Sequence, residues 1–334
     1  MLKRIGIVIT ILLATCLLAS QAGEQKRFAF IFKSTGNPFG EKLMEGFKTA
    51  VEEQGHTAIL RAPDLPTAEG QISIIEELIA QRVAGIGISA NDPDALQPVL
   101  ERARRAGIKI VTADSATNAE SRDVHINQAD PELIGRVQVQ AAFDMAGGKG
   151  DIAVLSATSQ ATNQNIWINW MQEELKLPKY SNTKLVKVAY GDDLRDKSTS
   201  ETEALLQTFP NLKAIIAPTT VGIAAAGKVL SDKNLAGKVF LTGLGLPSEM
   251  AEYINNDVCP WMYLWNPIDL GYLAGYASVA LADNSLKATP GSSFSAGHLS
   301  KKEVINASDG GTEIMLGAPF KFDKANINEW KTVY

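Results

Sequence analysis

Cysteine is scarce in this chain, with Cys16 and Cys259 the two examples among 334 residues. That is too few for a disulfide framework, so the fold must rest on its apolar cores. Histidine is nearly as rare: His56, His125 and His298 lie far apart, with no second His or Cys at ligand spacing. A metal site therefore has no support, and the three read as structural. No Gly-x4-Gly-Lys-Ser/Thr phosphate loop and no Gly-x-Ser-x-Gly nucleophile elbow occurs. The string Gly85-Ile86-Gly87-Ile88-Ser89-Ala90 fits a dinucleotide fingerprint, but its glycines fall inside an apolar run instead of in the turn after it. Positive charge is also short, with 32 Lys+Arg against 37 Asp+Glu, a net of -5 and no basic block. A nucleic-acid partner is thereby excluded.

What is present is an ordinary globular composition, 45% hydrophobic and 21% charged, long enough for about two domains. Residues 1–22 are set apart: Lys3 and Arg4, an uncharged run from Ile5 to Ala19, then Ser20-Gln21-Ala22. This is the layout of a secretory signal peptide, and the run is shorter than the roughly 20 residues of a membrane span. Leu13-Ala14-Thr15-Cys16 loosely resembles a bacterial lipobox. Thr15 is large for that pattern and the apolar run continues past Cys16, so a soluble exported product is expected over a lipid-anchored one. Cys259 reads as a small buried hydrophobe.

From Phe28 onward, short apolar runs alternate with amphipathic stretches about 15 residues long. Runs at 28–32, 85–88, 108–111, 152–155, 212–216 and 239–241 are mostly continuous, as strands buried on both faces of a parallel sheet require. Residues 41–51, 71–83, 94–106 and 133–145 carry apolar residues at helical spacing. Asn37-Pro38 and Asp92-Pro93 each place a capping side chain before a proline suited to the first helical turn. About ten strands are too many for one comfortable doubly wound sheet, so two α/β lobes with a shared cleft are expected.

Polar and aromatic residues gather directly after these apolar runs: Lys33 with Asn37 and Phe39, Asp114, Asn127 with Gln128, Asn163 with Gln164 and Trp167, Thr219 with Thr220, and Trp265 with Asn266 and Asp269. In an open α/β sheet the strand ends face the ligand crevice. Sugars call for this mixture, because hydroxyls need amides and carboxylates while the C–H faces of a pyranose pack on aromatic rings. Each residue taken singly has a plainer role as helix cap, turn former or core aromatic. Their recurrence at successive strand ends favours a site.

The run Lys33-Ser34-Thr35-Gly36-Asn37-Pro38-Phe39, the strand ending in Asp114, and Leu264-Trp265-Asn266-Pro267-Ile268-Asp269-Leu270-Gly271-Tyr272 resemble the periplasmic sugar-binding proteins of the ribose-binding type. Ile88 to Leu96 and Leu316-Gly317-Ala318-Pro319-Phe320 extend the likeness over nearly the whole mature chain. Within that family the rhamnose-binding and autoinducer-2-binding receptors are the nearest in pattern. The resemblance implies a type I periplasmic binding protein, with two Rossmann-like lobes joined by a three-segment hinge. The expected division is 26–127 plus 267–300 for the N-terminal lobe and 128–266 plus 301–334 for the C-terminal lobe.

Autoinducer-2 receptors hold their ligand with a lysine, an aspartate, an Asp-Gln pair and a Pro-x-Ala turn, which this sequence matches at Lys33, Asp114, Gln164 and Pro218. It departs at Asn163, Thr220 and Asn266, and those departures resemble the rhamnose-binding branch. The expected function is a non-enzymatic receptor that captures a monosaccharide, a rhamnose-like deoxyhexose foremost, and delivers it to an ABC permease of the inner membrane. It needs no cofactor, metal or catalytic residue and works as a monomer in the periplasm. The alternatives are an autoinducer-2 receptor, a chemotaxis ligand receptor, and a sugar dehydrogenase that would use Gly85 and Gly87 for nucleotide.

Overall fold

The computed structural model describes residues 25–334; the expected signal peptide, with Cys16, lies outside the described residues. Two parallel sheets organise the chain. The first contains β1 (Arg27–Ile31), β2 (Thr57–Arg61), β3 (Gly85–Ile88), β4 (Lys109–Ala113) and β5 (Val124–Asn127). The second contains β6 (Gly150–Ser156), β7 (Thr183–Tyr190), β8 (Leu212–Ala217) and β9 (Phe240–Gly243), in the order β7-β6-β8-β9. β10 (Trp261–Leu264) adjoins β9 through one parallel bridge between Leu244 and Tyr263. β11 (Ser293–Ser295) and β12 (Lys301–Glu303) form a short antiparallel ladder. β13 (Ile305–Asn306) and β14 (Thr312–Met315) then return to the first sheet, whose order is β13-β14-β5-β4-β3-β1-β2, and β15 (Phe320–Asp323) pairs antiparallel with β10. Residues 305–315, expected with the C-terminal lobe, therefore extend the first sheet: β14 pairs in parallel with β5, Ile314 opposite Ile126.

The helices between the strands are α1 (Pro38–Glu53), α2 (Ala68–Ala80), α3 (Pro93–Arg105), α4 (Pro131–Met145), α5 (Thr162–Leu175), α6 (Arg195–Thr208), α7 (Thr220–Asp232), α8 (Pro247–Asn255), α9 (Pro267–Ala282) and the single turn α10 (Ile327–Trp330). Both expected caps form. Asn37 accepts from the Gly40 N–H at the start of α1, and Asp92 accepts from the Asp94 and Ala95 N–H groups of α3. β1 and β3 are buried on both faces, which explains their unbroken apolar reading. Ala29, Ile31 and Ile86 pack under α2 and α3 through Ile75, Leu78, Leu96 and Leu100, while Phe28 and Phe30 belong with Leu43 and Phe47 of α1. α9 lies on α1 with backbones nearly in contact: a Cβ on Gly271 would stand 1.8 Å from the Leu43 carbonyl oxygen, and one on Gly46 1.9 Å from that of Ile268. Only glycine allows that approach.

Three chain segments pass between the halves: 128–130 after β5, 265–266 after β10 and 316–319 after β14. The first and third run side by side, the Leu316 N–H donating to the Asn127 carbonyl at 2.8 Å. Lys302 Nζ secures the third by donating to the Leu316 carbonyl at 2.7 Å. The architecture has the two α/β lobes expected from the sequence pattern and is the type I binding-protein fold that the resemblance implied.

Candidate functional site

The C-terminal ends of strands from both sheets meet at one narrow cavity, whose roughly 350 Å³ of atom-free space includes the open solvent at its mouth. Lys33 arrives from β1 and Asp114 from β4. From the other half come Asn163 and Gln164 in the first turn of α5, Pro218 and Thr220 after β8, and Trp265 after β10. Asn37, Phe39, Trp167 and Thr219 also line it, so eleven of the fifteen residues singled out from the sequence meet at this cavity. Asn127 and Gln128 line a neighbouring cavity, and Asn266 and Asp269 line neither. Asn266 caps α9, accepting from the Ile268 N–H at 2.9 Å, and its amide donates to Asp269 at 3.0 Å. Asp269 in turn meets His298 at 2.9 Å. These two support the second crossing segment and leave the cavity wall to Trp265.

The polar groups form a connected set. Lys33 Nζ lies 3.4 Å from Asp114 Oδ2, both side chains almost fully buried. Ser89 Oγ donates to the same oxygen at 2.8 Å, and Asn163 Nδ2 reaches across the cleft to Asp114 Oδ1 at 2.8 Å. Asp114 sits at φ +68°, a left-handed conformation that Asp tolerates better than most residues and that aims the carboxylate into the cleft. Gln164 is oriented by its own oxygen, which accepts from the Ala157 N–H at 2.9 Å and from Ser156 Oγ at 3.2 Å. Its NH2 group is thereby turned away from those contacts.

Aromatic rings supply the apolar surface. Phe39 meets Trp265 edge-on at 6.2 Å between centroids, Trp167 lies 5.8 Å from Trp265, and Phe32 lies 6.2 Å from Phe39. Trp265 Nε1 is buried with no hydrogen-bond partner among the described residues. A buried donor without a partner costs about 1–3 kcal/mol, so this indole is better satisfied with an oxygen atom beside it.

Sequence reasoning missed Phe32, Asp193, Leu244 and Leu264, which also line the cavity. Asp193 matters most. It follows Asp192 in a pair of consecutive left-handed residues at φ +53° and +54°, and its carboxylate accepts from Thr219 Oγ1. Burial pushes its pKa up, assisted by Asp114 and Asp192, while Lys33 and the Thr219 hydrogen bond pull the other way. The cavity thus sets two carboxyl groups around one ammonium. Cys259 is buried away from this set, its thiol pushed up by burial alone. Among the described residues no group of three His, Cys, Asp or Glu side chains is placed to hold a metal ion.

Two α/β halves with a hydrogen-bonding cavity at their strand ends define a cleft-type solute-binding protein. Residues 28–286 match the periplasmic binding protein domain family, and the chain belongs to that family. It is similar to an ABC transporter solute-binding protein from Clostridium phytofermentas solved with bound L-rhamnose, at 49% identity and a TM-score of 0.91, covering 93% of this chain and 99% of that one. LsrB from Clostridium saccharobutylicum in complex with AI-2 shares the fold at 22% identity and a TM-score of 0.85, over 91% of this chain and 99% of that one. The D-allose-binding periplasmic protein of Escherichia coli is 23% identical over 82% of this chain and 90% of its own length.

Proposed function

We propose that this chain is the extracytoplasmic receptor of a sugar ABC importer and that it captures a neutral monosaccharide, L-rhamnose or a similar deoxyhexose. The observation that carries the reading is the Lys33–Asp114–Asn163 bridge, in which charged and amide groups from opposite halves converge beside Phe39, Trp167 and Trp265. Ring hydroxyls would take the lysine and amide N–H groups as donors and the two carboxyl groups as acceptors. The deoxy carbon and ring C–H groups would pack on the indoles. The likeness to a protein solved with L-rhamnose, at 49% identity over nearly the full chain, supports the same class.

Autoinducer-2 is the second reading, favoured by Lys33, Asp114, Gln164 and Pro218. Asn163 weighs against it, because its amide donates to Asp114, a bond that an ionised carboxylate at that position could not make. The protein would work as a periplasmic monomer, its lobes closing on the ligand and presenting the closed form to a permease. The two lobes would be 26–127 with 267–315, and 128–266 with 316–334, the β13–β14 strands being counted with the sheet they join.

Isothermal titration of the mature protein with L-rhamnose, other monosaccharides and autoinducer-2 tests this. Saturable one-to-one binding of L-rhamnose, with the sugar recovered unchanged, is expected. Binding of autoinducer-2 alone would transfer the assignment to the second reading, and conversion of the sugar would end the receptor reading altogether.

A further inference from the structure

A second, larger cavity adjoins the first, its roughly 1240 Å³ of atom-free space including the open solvent at its mouth. Asp114, Asn163 and Trp167 line both cavities and so form the partition between them. We propose that the second cavity is a subsite for the next unit of a glycoside whose terminal deoxyhexose occupies the first, so that the receptor takes neutral rhamnosyl disaccharides as well as the free sugar. This rests on the monosaccharide reading above and extends it.

The walls carry the same chemistry as the first site. Trp170 stands three residues after Trp167 on α5, so the aromatic surface continues along one helix face into the second cavity. Gln128, in the first crossing segment, is 1% exposed, and its side-chain oxygen has no partner among the described residues. A buried amide oxygen without a donor calls for a hydroxyl. Asn127 Nδ2 donates to Glu313 Oε2 at 2.9 Å, leaving that carboxyl group's remaining lone pairs as further acceptors.

Charge selects a neutral occupant. The cation on this wall, Arg122, has its charge paired by both oxygens of Asp309 at 2.9 and 2.7 Å and donates through Nη1 to the Thr117 carbonyl, while its buried Nε has no partner among the described residues and is open to a hydroxyl oxygen. Glu313, Asp130 and Glu132 on the same wall disfavour a negative unit further. Ser115 Oγ lies within 3.2 Å of both Thr162 Oγ1 and Asn163 Oδ1 beside the partition, so hydroxyl and amide groups flank the path a glycosidic link would follow.

Titration calorimetry with L-rhamnose, its methyl α-glycoside and the rhamnobioses linked through each ring hydroxyl tests the proposal. At least one rhamnobiose should bind within about tenfold of rhamnose, a difference of about 1.4 kcal/mol. Glu313→Ala and Trp170→Ala should each weaken that disaccharide about tenfold, one contact's worth, while rhamnose stays within about twofold. The two changes lie on different elements, so one misfolded variant leaves the other informative. If rhamnose binds and every rhamnobiose is weaker by more than about a hundredfold, the subsite is wrong and the monosaccharide reading stands. Equal losses for both ligands in the two variants would also overturn the subsite. If no saccharide binds, both readings fall together.

Discussion

On the first-sheet wall of the cavity, every functional group is held by buried backbone or side-chain partners. Gln71, fully buried in α2, donates to the carbonyls of Phe32 and Ser89 and accepts from the Asn91 N–H. Asn91 Nδ2 donates to the Lys33 carbonyl at 2.9 Å, and Ser89 holds Asp114. On the second-sheet wall Asp193 is half-buried, left-handed along with its neighbour, and accepts one side-chain hydrogen bond among the described residues, from Thr219. Asn163 and Gln164 on that wall are buried and hydrogen-bonded like the first wall, so the contrast is between this preorganised set and the adaptable Asp193 turn. Preorganised groups lose little entropy on binding, so they should dominate affinity, while the looser turn tunes selectivity.

Asp114→Ala should break the comparison's stronger side. It removes the carboxylate that joins Lys33, Ser89 and Asn163 and leaves the buried ammonium with Asp193 alone as its counter-charge. Affinity for the sugar should fall by about a hundredfold or more, with the protein still folded by circular dichroism. Loss of less than about threefold in calorimetry would show that the preorganised set is not the anchor.

Acid should separate the two halves next. On β5, burial and the neighbouring Arg122 lower His125 to about 3, so it stays neutral in the folded state. The unfolded chain binds that proton below about pH 6.5, so His125 lowers stability as pH falls from there towards 3, by about 2 kcal/mol at pH 5. In the other half, burial raises Glu174, but hydrogen bonds from Tyr180, Arg136, Gln140 and Lys179 outweigh it and bring the carboxyl to about 2. Its contribution is intact above about pH 4.5 and is lost only below. Denaturant melts should therefore show first-half stability eroding between pH 6.5 and 4.5, and His125→Gln should flatten that slope. An unchanged slope would contradict the assignment of a neutral buried His125.

Asp193→Asn tests the adaptable turn. It preserves shape and the Thr219 contact but removes a carboxylate acceptor. Affinity for L-rhamnose should weaken by about tenfold, one charge-assisted hydrogen bond, and discrimination against sugar acids should weaken with it. A loss matching that of Asp114→Ala would erase the distinction between the preorganised set and the turn.

The strands, the proline-marked caps and eleven cavity-lining residues were legible because each leaves a local signal: an unbroken apolar run, a capping side chain, a polar residue at a strand end. Asp193 was not, because Gly191-Asp192-Asp193 reads as an exposed acidic turn, and its direction into the cleft depends on two left-handed residues. The return of β14 to β5 was hidden for a different reason. Its partner lies almost 190 residues earlier, and Thr312–Met315 is short and only partly buried.

Asn266 and Asp269 stand apart from the other expected residues, and the smallest effect belongs there. Their position beside Trp265 suggested ligand contact, yet both stand outside the cavity and bind each other, the first turn of α9 and His298. Asn266→Ala should lower stability by about 1 kcal/mol through the lost cap. Sugar affinity should change by less than about threefold, since Trp265 remains pinned between Phe39 and Trp167. A larger loss of affinity at unchanged stability would place Asn266 on the ligand after all, and would make the second crossing segment part of the binding wall instead of its support.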